Sequence, residues 1–200
     1  MGAIDILFII LSYFLGNISP STLLARAQGL DIKKEGSGNA GTTNTLRVLG
    51  KKAALITLIV DVGKGVAAVL ISNAVCGHET AMWCALAVFL GHVWPVLLKF
   101  QGGKGVATAA GAIFAINWQL GLIALVIVVA SVLITRRMSF GSIVVGVLFP
   151  FICWFMQNDF FPIGLVMALI MLFKHRSNMV RLMKGEESKI SFGKKKEDNK

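Results

Sequence analysis

Apolar residues dominate seven stretches of the chain, at about 3–25, 53–75, 81–98, 106–116, 120–135, 138–156 and 160–174, and short segments rich in glycine, asparagine and charge separate them. The longer runs match the roughly 20 apolar residues that a helix needs to cross a hydrocarbon core. No basic residue precedes the first stretch and Arg26 follows it, so we expect a retained helix with its N-terminus outside, not a cleaved leader. Residues 106–135 admit one long tilted span or a hairpin of two short helices turning at Asn117-Trp118-Gln119. The hairpin returns Arg136 and Arg137 to the side of Lys99 and Lys104; the single span separates them. The hairpin is the expectation, and it makes an all-α integral membrane protein of about seven helices. Two of these, at 106–116 and 160–174, are short for a bilayer.

Composition supports this reading. The chain has 200 residues, of which 56% are hydrophobic and only 15% charged, against about 25% charged in ordinary soluble domains. Lys and Arg number 20 against 10 acidic residues, a formal net charge of +10. In a soluble protein that excess would suggest nucleic acid. Here the hairpin topology puts nineteen of the 20 cations on one side, where cytoplasmic loops are expected to be basic, so no nucleic-acid partner is expected. The remaining cation, Lys64, falls inside the second stretch. We expect one membrane domain over 1–187, a basic polar cytoplasmic tail over 188–200, and an active site made of helix ends and loops facing the cytoplasm.

Three polar constellations interrupt the apolar pattern, all on that same side. The first runs Gly36-Ser37-Gly38-Asn39-Ala40-Gly41-Thr42-Thr43-Asn44 and continues to Arg47. Glycine lets backbone N–H groups approach a ligand, the Ser, Asn and Thr side chains supply donors, and Arg47 offers a planar fork to phosphate. The second is Gly102-Gly103-Lys104-Gly105-Val106-Ala107-Thr108, glycines at the start of a helix with a cation among them, an arrangement suited to an anion. It is not a nucleotide P-loop, because Leu98 and Gly105 stand where that pattern needs Gly and Ser or Thr. The third is His175-Arg176-Ser177-Asn178, followed by Arg181, Gly185 and Glu186; His175, Asn178 and Arg181 share a helical face. Within the second stretch Asp61 and Lys64 are three apart and are expected to pair beside the site. His92 reads as a packing residue and His78 has no evident partner. The three cysteines read as apolar fillers. No metal-ligand spacing and no cofactor motif is present, so neither metal nor cofactor is expected.

These residues resemble a known family. The GSGNAGTTN run ending in Arg47, FLGH at 89–92 with GGKGVAT at 102–108, and HRSNMVRLMKGEE at 175–187 are similar to the three motifs of the bacterial acyl-phosphate:glycerol-3-phosphate acyltransferases, the PlsY family. The resemblance covers about 1–187. It implies transfer of an acyl group from acyl phosphate to the sn-1 hydroxyl of glycerol 3-phosphate, giving lysophosphatidic acid and phosphate. It also implies a cell-membrane location, and an expected partner is the soluble enzyme that supplies acyl phosphate. In this reading Ser37 and nearby backbone N–H groups position acyl phosphate or its oxyanion. Arg47, Lys104 and His175 hold phosphate, and Asn178 orients phosphate or glycerol. Gly38, Asn39, Thr43 and Asn44 form the first loop and bind substrate, and Gly102, Gly103 and Gly105 with the helix start bind phosphate. Asp61, Lys64, His92, Arg181 and Glu186 brace the site, with Glu186 supporting the last motif. The proton acceptor is His175 or a substrate phosphate, the latter preferred.

Rival classes have their own requirements. Acyltransferases that use acyl-CoA commonly carry H-x-x-x-x-D, and the residues five after His78, His92 and His175 are Trp83, Leu97 and Val180. CDP-alcohol phosphotransferases need an aspartate cluster, and Asp31 and Asp61 stand apart. A transporter or channel for a small phosphorylated solute would suit the intramembrane Asp61-Lys64 pair, but needs polar sites near the midplane and a path to both sides.

Overall fold

The computed structural model describes residues 1–190; the basic tail expected at 188–200 therefore lies mostly outside the described residues. The described chain forms ten α-helices and one 3₁₀ turn. Seven helices occupy the expected apolar stretches: α1 (Ala3–Gly16), α4 (Gly50–Cys76), α5 (His78–Val93), α6 (Val106–Ile116), α7 (Trp118–Thr135), α8 (Met138–Met156) and α9 (Phe161–Lys174). Three short helices, α2 (Pro20–Arg26), α3 (Thr42–Val48) and α10 (Arg176–Met183), flank them. Side chains such as Ile134 and Phe155 are each 84% exposed. Apolar exposure on this scale suits a surface solvated by lipid, not water.

The first stretch is not one helix. α1 stops at Gly16, and Pro20, which has no N–H to donate, starts α2. The break frees the carbonyls of Gly16 and Ile18, and both accept hydrogen bonds from the Lys64 ammonium, at 3.1 and 2.7 Å. A charge inside α4 thus supplies the donors that the broken helix lacks.

The hairpin at 117 is present. Asn117 caps α7 by accepting from the N–H groups of Gln119 and Leu120, and its amide donates to Gln157 Oε1 at 2.8 Å. His78 approaches Asp159 at 3.4 Å, so it does have a partner, and Thr80 donates to Asp5 at 2.8 Å. The N-terminus and the turns at 76–80, 117–119 and 157–159 therefore meet at one end of the bundle. At the other end Lys33 donates to the Gly102 carbonyl and Arg137 donates to the Glu187 carbonyl. All three motifs share that second end.

α6 sets the depth of the site. Its 11 residues reach only about 16 Å at roughly 1.5 Å per residue, whereas α4 beside it has 27. The two pack with backbone nearly in contact: a methyl group on Gly65 would strike the Thr108 carbonyl, and one on Gly111 the Val62 carbonyl. Anchored at the turn end, so short a helix draws the Gly102–Gly105 loop down to the level of the middle of α4.

Candidate active site

The motif end opens into a cavity of about 520 Å³. Its mouth is polar, lined by Ser37, Asn39, Thr43, Arg47, Lys104 and Asn178 among others; its deeper wall is apolar, with Phe89, Ile113, Phe114, Phe149 and Met171. The wall comes from α4 to α9, so the space runs from the loops into the helix bundle.

Each loop is shaped by a buried polar residue. Asn44, 1% exposed, donates to the carbonyls of Glu35 and Ile32 at 3.0 and 3.3 Å and accepts from the Ser37 N–H at 2.8 Å. Its hydrogen-bonding capacity is spent on backbone, so it builds the loop and holds Ser37 at the cavity. Arg47 and Ser37 are exposed at the mouth. Gly105, with φ +82, caps α6 in a left-handed conformation that a side chain resists. The first helical residues, Val106 and Ala107, then face the cavity, which gives it the unpaired N–H groups of a helix start.

Not every expected ligand reaches the cavity. Gly38 closes a turn, donating to the Glu35 carbonyl at 2.9 Å. Gly102 and Gly103 are buried against His92 and Pro95, and Gly103 donates to the His92 carbonyl at 3.1 Å. These glycines lie off the wall because they serve close packing; of the second loop, Lys104, Gly105 and the helix start line it.

The third motif is organised by a residue other than the one expected. Glu186 is exposed, and the brace is Glu187, which is 7% exposed. Its carboxylate accepts from Ser139 at 2.8 Å, Asn178 at 2.7 Å and Arg181 at 2.7 Å. The turn at Gly185, where φ is +74, carries the second glutamate inward and leaves the first in solvent. Burial raises the Glu187 pKa, but the donated hydrogen bonds outweigh it and hold the group below its ordinary value. Asn178, oriented by Glu187, accepts a hydrogen bond from Lys104. One chain of contacts therefore runs Glu187–Asn178–Lys104 from α10 to the second loop.

Burial, opposed by the Glu187 charge but helped by Arg181, Arg47 and Lys174, pushes the Lys104 pKa down to about 8. His175 is buried, and its Nδ1–H donates to the Met171 carbonyl at 2.8 Å. Burial first, and then Lys104, push its pKa down to about 4. The ring is neutral near pH 7, and its Nε2 carries a lone pair able to accept a hydrogen bond.

Asp61, Lys64 and His92 come together in the wall beside the mouth. Lys64 Nζ lies 2.8 Å from Asp61 Oδ1 and 2.9 Å from His92 Nδ1, and His92 Nδ1 is 3.3 Å from the same carboxylate oxygen. His92 Nδ1 thus faces both the ammonium and the carboxylate, and its tautomer sets which of the two it bonds. His92 is a member of this buried trio, more than a packing residue. Ser139, which also lines the cavity, had no spacing signal to single it out; the same holds for the choice between two adjacent glutamates.

Fold and site together define a polytopic membrane protein in which a polar, cationic mouth leads into an apolar cavity between helices. The chain belongs to the glycerol-3-phosphate acyltransferase family: the family profile of that description matches residues 6–185. Among its relatives, a glycerol-3-phosphate acyltransferase of Thermoanaerobacter pseudethanolicus is 44% identical over 188 residues, covering 92% of this chain and 95% of that one. One of Clostridioides difficile is 43% identical over 203 residues, covering 96% and 97%. The crystal structure of PlsY (YgiH), an integral membrane glycerol 3-phosphate acyltransferase, in its glycerol 3-phosphate form superposes with a TM-score of 0.90 at 30% identity over 94% of this chain and 96% of that one. Its lysophosphatidic acid form gives 0.86. These likenesses favour the acyltransferase over the transporter.

Proposed function

We propose that this acyltransferase takes its acyl group from acyl phosphate and transfers it to the sn-1 hydroxyl of glycerol 3-phosphate at the cytoplasmic face of the cell membrane, within a single domain over 1–187. The observation that carries the reading is the cavity of about 520 Å³, polar at the loops and apolar between the helices. It suits a molecule with a phosphate head and a hydrocarbon tail, beside a second, small phosphate.

In this reading Arg47, Lys104 and the N–H groups at the start of α6 hold the two phosphates. Ser37, Asn39 and Thr43 supply donors where the carbonyl becomes an oxyanion. His175 accepts a hydrogen bond from the glycerol hydroxyl through Nε2 and aims it at the carbonyl. The hydroxyl oxygen bonds to the acyl carbon, the carbon–oxygen bond to phosphate breaks, and phosphate leaves. An imidazole with a pKa of about 4 is a weak base, so the hydroxyl proton ends on the departing phosphate. Holding the two reactants together contributes much of the acceleration. A mixed anhydride already has a good leaving group, which removes the need for a strong general acid. The soluble enzyme that makes acyl phosphate is the implied supplier.

Purified protein given palmitoyl phosphate and labelled glycerol 3-phosphate should release lysophosphatidic acid and phosphate without added metal or CoA. Turnover with palmitoyl-CoA and none with palmitoyl phosphate would overturn the donor assignment.

A further inference from the structure

A second cavity, of about 430 Å³, lies at the motif end but outside the active site, between the segment after α2 and the turn after α5. Three cations border it, Arg26, Lys33 and Lys99, with one carboxylate, Asp31. Among the described residues neither Arg26 nor Lys99 has an ion-pair partner. Lys33 is half-buried, and burial together with the field of Lys174 pushes its pKa down to about 8 despite Asp31. The pocket thus carries uncompensated positive charge.

Three further features narrow what fills it. Lys99 and the next residue, Phe100, both hold left-handed backbone, with φ +54 and +60. Two consecutive non-glycine residues there cost of order 1 kcal/mol each or more, and such strain clusters at ligand clamps. The strained turn brings Lys99 to the cavity and leaves Phe100 exposed. Leu97, on the cavity lining, is 69% exposed, and Phe100, next in chain to Lys99, is 58% exposed, an apolar skirt beside a cationic pocket. Free phosphate has no use for that skirt, whereas a phospholipid fills both parts. Finally, Lys33 Nζ donates to the Gly102 carbonyl at 2.7 Å, which ties the pocket to the loop that carries Lys104.

We propose that this cavity binds the phosphate headgroup of an anionic phospholipid of the surrounding leaflet, with its chains against Leu97 and Phe100, and that the bound lipid steadies the Lys104 loop through Lys33. The phosphate takes the charges of Arg26 and Lys99 and leaves Lys33 on Gly102. Pairing Arg26 and Lys99 with one anionic phosphate ties the segment after α2 to the 95–103 turn and holds that turn in one arrangement. Only the kinetic consequence rests on the reaction proposed above; the binding does not.

The experiment compares the wild type with the double variant Arg26→Gln, Lys99→Gln, two changes at exposed positions that do not line the active-site cavity. Native mass spectrometry in detergent with added phosphatidylglycerol reads binding, and the variant should retain it about 30-fold more weakly, since each cation contributes about a tenfold-or-less factor to an anionic headgroup. The same proteins are then assayed in vesicles of phosphatidylcholine alone and with about one quarter phosphatidylglycerol. Bulk surface charge repels the anionic substrates equally from both proteins, so the site appears as the difference: KM for glycerol 3-phosphate should be lower for the wild type than for the variant only in the mixed vesicles. Equal lipid retention by the two proteins overturns the site. Retention that differs with no difference in KM overturns the coupling through Lys33. The same gain for the wild type over the variant, produced by inorganic phosphate in vesicles of phosphatidylcholine alone, identifies free phosphate as the occupant and overturns the lipid assignment. If neither protein turns over acyl phosphate, the donor assignment fails while the retention measurement still decides the site.

Discussion

In the proposed reaction, single side chains at the mouth set the pH behaviour and hold the phosphates. Lys104, at about 8, is charged at neutral pH and loses its proton as pH rises through that value. The KM for phosphorylated substrate should therefore climb above about pH 8. Lys104→Arg keeps its charge at any working pH, so its profile should stay flat on the alkaline side even if its rate is lower; an unchanged alkaline limb would place the titration elsewhere. The brace makes a second, sharper test. Glu187→Gln weakens charge-assisted hydrogen bonds from Arg181, Asn178 and Ser139, each worth about 1.5–3 kcal/mol, and should reduce kcat/KM about 10-fold or more. Glu186→Gln, at an exposed neighbour, should behave as wild type. The third motif was legible in the sequence as a set of residue types. Which glutamate points inward was not, because a φ of +74 at Gly185 decides it.

At the scale of elements, α1, α2, α4 and α5 are joined by the Asp61–Lys64–His92 trio. Lys64 satisfies the carbonyls at the α1–α2 break while paired with Asp61, and His92 passes the contact to Gly103 through its own carbonyl. Asp61 Oδ1 meets Lys64 at ion-pair distance but has no well-aligned hydrogen bond, so charge more than direction holds that pair. Removing one member strands the other charge: Asp61→Asn or Lys64→Met alone should lower stability by about 3–5 kcal/mol, seen as a fall in thermal midpoint in detergent. The double variant should recover part of that loss, since it leaves no lone charge. A double variant worse than the sum of the singles would contradict the account. The pairing of Asp61 with Lys64 follows from helical spacing. The arrival of His92, 28 residues along from Lys64, and of the α1–α2 carbonyls does not, because those contacts exist only once four helices pack.

For the whole molecule, the division into two ends organises everything else. The basic loops and the motifs meet at one end, and the turns without Lys or Arg meet at the other. The proposed orientation predicts that, in a cysteine-free background, Gln119→Cys reacts with a membrane-impermeant maleimide added to intact cells, and Ser188→Cys reacts only after permeabilisation. The reverse pattern would invert the protein in the membrane. The same division makes room for the site: α6 has 11 residues beside the 27 of α4, and the space it leaves lets three loops descend toward the apolar cavity.

By itself the sequence determined the helical class, the seven apolar helices, the hairpin at 117 and the three motifs, because hydrocarbon length and the distribution of cations constrain each of them locally. Only the tertiary structure decided which members of those motifs face the cavity. Gly38, Gly102 and Gly103 turned out to serve turns and close packing, Asn44 became loop scaffold, and Glu187 displaced Glu186. Those outcomes depend on side-chain direction and on contacts between residues tens of positions apart. Residue type and spacing do not encode these; the packed helices do.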